Sequence, residues 1–347
     1  MKIRKTLIAV TVLLMMGALV ILSACQTEPT ATPVQTSDKD EQPVTVIPLT
    51  EPLTDRDAEV SGMAWYGDYL IILPQYPDFF TSEGDGFIFA VRKSDILAFL
   101  DGAASDSLEL IWIPFVAPGI SEQIDGYEGY EAIVFVGDEV YLTIEAETNH
   151  PTGYLLAGTM ASDLSALTVD TSNLVEIQSQ SESSNKAEEA LIVAGDSVIT
   201  IYEVNGVALN TSPVAHAFDA NLASQGTLSF PSIEYRVTDA SALDGDNRFW
   251  AINYFYTGSD DLVPENDPLA DQYGQGLSHA RSDTVERLVE FQYAESGITL
   301  VDAPPIQLEL LEKDARNWEG LVRLDDRGFL LMTDKFPETI LGFVAAP

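Results

Sequence analysis

Six carboxylates recur in matched pairs along this chain: Glu131 with Glu145, Glu189 with Glu203, and Glu319 with Asp334. Each pair brackets an apolar run, a Gly-Asp or Asp-Asp turn and a second apolar run, as in EALIVAGDSVITIYE from Glu189. SGMAWYGDYLIILPQ from Ser61 and SALDGDNRFWAIN from Ser241 keep the pattern, with Ser at the start and Gln75 or Asn253 at the finish. Carboxylate and amide oxygens gathered at one point suit a hard divalent cation, so Glu131, Glu145, Glu189, Glu203, Asn253, Glu319 and Asp334 are candidate Ca2+ ligands. The same residues would equally serve to bond neighbouring backbone and hold a ring of elements closed. A metal at such a site lowers the pKa of bound water, and Glu131 or Glu189 would take its proton while Arg281 or Arg316 steadies an anionic product. That is hydrolysis of phosphate esters, other esters or lactones. A covalent route has no support, because GxSxG does not occur. The three histidines, His150, His216 and His279, are too few and too scattered for zinc.

The elements that must position these residues are hairpins. Turn chemistry between two short β-rich runs reads as strand, turn, strand, and five copies occur. Further strand candidates follow each hairpin: GFIFAVR and LELIWIPF, GYLLAGTM and NLVEIQS, VAHAF and IEYRV, RLVEFQY and IQLELL. Four strands per copy is a propeller blade, so the chain is predicted to be all-β with five blades, six being the rival count. The fifth copy has only TILGFVA after its hairpin, and VTVIPL at residues 44–49 supplies its outer strand, closing the ring from both termini. In that geometry both ends of every hairpin reach one face, at the mouth of the central channel. Arg56, Lys186, Arg316 and Lys335 fall beside them, while the insertion over residues 255–285 reads as a lid or specificity loop. SDILAFLDG reads as a short helix outside the first blade.

The chain opens with a basic start, a long apolar segment and Leu22-Ser23-Ala24-Cys25. This is an export signal, residues 1–25, whose Cys25 matches a bacterial lipidation site; an uncleaved signal anchor is the alternative. Residues 26–43 have the composition of a disordered tether, and residues 44–347 form the domain. The expected location is therefore the outer side of a bacterial membrane, with the protein a lipid-anchored monomer. Fifty-five acidic against 17 basic residues, a net charge of −38, exclude nucleic acid as a partner. Rim Arg and Lys leave room for an anionic small molecule or another extracellular ligand. With Cys25 the only cysteine, no disulfide holds the fold.

RNWEGLVRLDDRGFLLMTDK, GYEAIVFVGDEVYLTIE and AEEALIVAGDSVITIYE resemble the repeats of the phytase-like or esterase-like β-propellers of exported bacterial proteins. More distantly they look like the calcium propellers of gluconolactonases and paraoxonases. The resemblance implies an ion at the channel mouth held by Glu131, Glu145, Glu189, Glu203, Asn253, Glu319 and Asp334. The chain departs from that pattern at Ser61 and Ser241, where two repeats lack Glu, and at Asp55–Glu59, where the acidic signature of alkaline phytases is absent.

Overall fold

The structure, a computed structural model, describes residues 41–312 and 315–346. The signal segment, Cys25 and all of the tether before Glu41 lie outside the described residues. The first strand, β1 (Thr45–Ile47), precedes five blades. Blade one is β2 (Val60–Tyr66), β3 (Tyr69–Pro74), β4 (Phe87–Arg92) and β5 (Ile111–Val116). Blade two is β6 (Tyr127–Val136), β7 (Glu139–Glu147), β8 (Pro151–Met160) and β9 (Leu167–Val169), with β10 (Val175–Gln178) also on β8. Blade three is β11 (Glu188–Ala194), β12 (Ser197–Tyr202), β13 (Val214–Phe218) and β14 (Ser224–Ser229). Blade four is β15 (Arg236–Ala240), β16 (Arg248–Phe255), β17 (Val285–Ala294) and β18 (Gly297–Leu300), with β19 (Ile306–Gln307) also on β17. Blade five is β20 (Trp318–Leu324), β21 (Gly328–Thr333) and β22 (Leu341–Ala345), completed by β1.

The ring closes as the sequence pattern requires. Strand β1 pairs antiparallel with β22, Val46 opposite Gly342, so strands from the two ends of the domain share one sheet. Inner strands β2, β6, β11, β15 and β20 touch in cyclic order. Blades one and two are also joined at their outer edges by a short parallel pairing of β5 with β9. The first two strands of a blade are buried on both faces because each blade is packed between two others. On β12, Val198 packs toward blade two while Ile199 and Ile201 pack toward blade four. That double burial explains why the runs read as continuous rather than alternating. The tight turns of blades one, two and three place Gly67, Gly137 and Gly195 at φ of +55, +62 and +61°, a conformation that costs glycine nothing. Helix α1 (Lys93–Leu100) follows β4, as expected.

Three expectations are corrected. IEYRV is not the outer strand of blade three; that place belongs to β14, and Arg236–Ala240 is the inner strand of blade four. The tether does not extend to residue 43, because Gln42 donates to Gln307 O and accepts from Glu309 N, at 2.8 and 2.9 Å. The Glu41 carboxylate in turn accepts from Ser278 N, Ser278 Oγ, His279 N and His279 Nδ1. Finally, Ser241 lies beyond β15 instead of opening it.

Candidate functional site

Each inner strand slips register beside its opener, between Val60 and Gly62, Tyr130 and Ile133, Glu188 and Ala190, Val237 and Ala240, and Trp318 and Gly320, and β6 slips a second time between Tyr127 and Gly129. A bulge kinks the strand and re-aims a side chain. The residues it displaces include Ser61, Glu131, Glu189 and Glu319, the openers singled out by the repeat. In blade four they are Thr238 and Asp239. Counting back from the turns leads to the same residues: Ser61, Glu131, Glu189 and Glu319 all precede the first turn residue by six positions, and so does Asp239 before Gly245. Ser241 therefore has no place in the ring; its buried hydroxyl accepts from Trp250 N at 3.0 Å and closes the hairpin of its own blade.

With blade four in phase, a basic residue stands three positions before the opener in three successive blades: Lys186, Arg236 and Arg316. Arg236 is the centre of the mouth. Its Nη2 donates to Glu189 Oε1 and Oε2 at 3.2 and 3.3 Å and to Glu319 Oε1 at 3.2 Å. Its Nε donates to Glu203 Oε1, and its Nη1 to Asn317 Oδ1 at 3.1 Å. One guanidinium thus joins carboxylates from β11, the end of β12 and β20, supplying positive charge at the point where the sequence pattern suggests a metal. Among the described residues, no group of three or more Asp, Glu, His or Cys side chains is arranged to hold a metal ion. Arg236 stands among the axial carboxylates where the sequence pattern suggests a cation.

The remaining mouth groups are crowded and buried. Burial, then the charges of Glu145, Glu189 and Glu319, pushes the Glu131 carboxyl well above the usual range, against a hydrogen bond from Gln75. Burial and Glu189 push Glu145 up to about 8, with Lys186 and Arg236 opposing. Burial and Asp334 raise Glu319; burial also raises Glu189 and Asp334, which Arg236 partly offsets. Burial would lower Arg236, but Glu189 and Glu319 beside it hold it firmly charged. Lys186, 3.6 Å from Glu203, is lowered by burial and by Arg236. Asp239, raised by burial, accepts from Ala240 N and, across the blade junction, from Leu321 N at 2.7 and 2.6 Å.

Glu131, Glu145, Glu189, Glu203, Glu319 and Asp334 therefore do converge, as expected. Three predicted residues do not join them. Asn253 donates to Glu234 O and Arg236 O and accepts from Arg287 Nε at 2.8 Å. Arg316 is buried and held by Glu286 and by Glu309 O, so it cannot steady a product at the mouth. Arg281 sits exposed on a single 3-10 turn of the insertion.

The insertion builds a spacious pocket near the mouth, about 640 Å3, walled by Tyr235, Phe255, Asp260, Asp267 and Asp283. Its floor is tied to the mouth through one relay. Arg287, buried, donates to Asn253 on one side and to both Asp267 oxygens at 2.7 and 3.0 Å on the other. Asp267 also caps the helix Pro268–Tyr273. The lining also includes His279, whose Nε2 accepts from Glu286 N while Nδ1 donates to Glu41. Hydrogen bonds from Ser278 and His279 outweigh burial and hold the Glu41 carboxyl below its ordinary pKa.

No family model matches the chain, and no curated protein matches it by sequence. Solved structures with a similar arrangement include a glucose dehydrogenase, 12% identical over 88% of this chain and 99% of that one, TM-score 0.44. The apo form of the soluble aldose sugar dehydrogenase from Escherichia coli is 11% identical over the same shares, TM-score 0.43. A luciferin-regenerating enzyme is 9% identical over 87% of this chain and 95% of that one, TM-score 0.47. None of these likenesses bears on the chemistry of the mouth or of the pocket.

Proposed function

We propose that this chain is an exported propeller, held to a membrane through Cys25, that binds a small cationic or polyhydroxylated ligand in the pocket under the 255–285 insertion. The observation that carries this reading is the division of charge. Arg236 engages the axial carboxylates, whereas the ionisable lining of the pocket is Asp260, Asp267 and Asp283 with His279, and includes no Lys or Arg. Asp267 is spent on Arg287, which leaves exposed Asp260 and Asp283 beside the Tyr235 and Phe255 rings. Carboxylates against aromatic faces suit an ammonium or a hydroxylated ring, and the volume is that of a small-molecule site. A panel of diamines, hexoses and phosphate esters, read by thermal shift, tests it. Stabilisation by an amine or a sugar, lost in Asp260→Asn and Asp283→Asn, supports the reading; stabilisation by phosphate esters alone overturns it.

A second reading follows the resemblance to phytase-like and esterase-like propellers, and one observation favours it. Glu131 and Glu145 form no ion pair with Arg236 and carry strongly raised pKa values, the property of a general acid. Turnover of 4-nitrophenyl phosphate or acetate that Ca2+ stimulates and Glu131→Gln abolishes would establish it. No turnover with folded protein leaves the binding module.

A further inference from the structure

Blade two and blade three meet on an apolar seam of Tyr141, Leu155, Ile177, Leu191 and Val198. Toward the mouth the same two faces turn polar. On β7, Thr143 and Glu145 continue the face of Tyr141; on β12, Thr200 continues that of Val198, and Glu188 on β11 pairs with Tyr202 two residues further on. Glu188 reaches across the junction. A Cβ added to Gly153 would lie 2.3 Å from Glu188 Oε2, and Gly153 is the cross-strand partner of Glu145. Directly opposed residues on antiparallel strands have Cβ positions about 5 Å apart, so the two carboxylates are neighbours.

All four side chains are fully enclosed: Glu188 and Thr200 are 0% exposed, Thr143 1% and Glu145 2%. Both oxygens of Glu188, Oε1 of Glu145 and both threonine hydroxyls have no hydrogen-bond partner among the described residues. The nearest cation, Lys186, donates its hydrogen bond to Asn185 O. Buried oxygens without donors are costly, and two carboxylates side by side are costlier still. No other blade has a carboxylate where Glu188 stands: that place holds Val60, Tyr130, Thr238 and Trp318. Of these, Thr238 is satisfied by Trp318 O at 2.5 Å.

We propose that this junction is a metal site, in which Glu145, Glu188, Thr143 and Thr200 hold one hard divalent cation, Ca2+ being the best match. Two carboxylates neutralise a dication, carboxylate and hydroxyl oxygens are its preferred donors, and the remaining positions belong to water. The site lies between two blades, off the channel axis and apart from Arg236. Its competitor is the proton, because both carboxylates must be deprotonated to hold the ion, so acid empties the site.

Calorimetric titration of the chelator-treated full-length protein with Ca2+ near pH 8.5 tests this. The expected result is one ion per chain, binding that weakens steadily toward pH 6, loss of binding in Glu188→Gln, about tenfold weakening in Thr200→Val, and unchanged binding in Glu319→Gln. Tyrosine-sensitised Tb3+ emission from the wild type, displaced by Ca2+, detects the same ion without a variant. The proposal is overturned by absence of binding in both experiments. It is also overturned by equal stabilisation from Ca2+, Mg2+ and matched NaCl, which is charge screening, or by binding that Glu319→Gln removes and Glu188→Gln leaves intact.

Discussion

Two junctions in one ring handle the same charge in opposite ways. Where blades three, four and five meet the axis, Glu189, Glu203 and Glu319 converge on Arg236, which donates to all three. Between blades two and three, Glu145 and Glu188 converge with no ion pair to a basic side chain among the described residues and leave three carboxylate oxygens without donors there. The carboxylates alone would look alike in sequence. The difference is the residue three places before the opener, which is Arg236 in blade four, Lys186 in blade three and Glu128 in blade two. A buried carboxylate is thus a structural tie where Arg236 reaches it, and a candidate ligand where its oxygens lack a donor among the described residues.

Removing the counter-charge should have the largest effect. Arg236→Met strands three buried carboxylates, and urea unfolding near pH 8 should show a loss of about 3–5 kcal/mol. The same variant near pH 5 should lose less, because the carboxyls then bind protons.

The pH profile of the wild type comes next. Glu145 and Glu188 have folded pKa values of about 8, above those of the unfolded chain. Between about pH 4.5 and 8 the folded state holds more protons than the unfolded one, so stability is highest below that window and falls as pH rises through it. The slope approaches roughly 1.4 kcal/mol per pH unit for each such carboxyl. Saturating Ca2+ should flatten the part of that fall due to Glu145 and Glu188, the two carboxyls of the proposed site.

Smaller effects are expected away from both junctions. Glu41→Ala removes the acceptor of four donor groups and should cost about 1–3 kcal/mol, read as faster amide exchange in residues 276–281. Its sign with pH is opposite to that of the mouth: the folded pKa of Glu41 is depressed, so its contribution is present above the unfolded value and is lost as pH falls through the folded one. Ser241→Ala should cost only about 1 kcal/mol and leave ligand and metal binding unchanged, because its hydroxyl serves a hairpin.

Much of this architecture was legible in the sequence. Turn residues and apolar runs pointed to five blades, and the N-terminal VTVIPL had the composition and position of a missing outer strand. Glu131, Glu145, Glu189, Glu203, Glu319 and Asp334 were readable because three repeats carry them in phase. Blade four was not, since Ser241 mimics the Ser-small-aliphatic start of blade one while the strand before it, Arg236–Ala240, is short and has polar residues at three of its five positions. That single slip hid Asp239 and Arg236, although the six-residue spacing from opener to turn was available to reveal both. Glu188 is a different case. Its burial depends on Gly153 and on the register of another blade, neither of which local pattern encodes. The fates of Arg316 and Asn253 likewise hang on Glu286 and Arg287, partners far along the chain.

Arg236 acts as the internal counter-ion of the channel mouth, and a double-mutant cycle of Arg236→Met with Glu189→Gln, by urea unfolding near pH 8, is the sharpest test of that role. Neutralising Glu189 is expected to restore part of what Arg236→Met loses, with a coupling of about 2 kcal/mol or more. Two losses that simply add would contradict that role and would return the mouth carboxylates to an external cation.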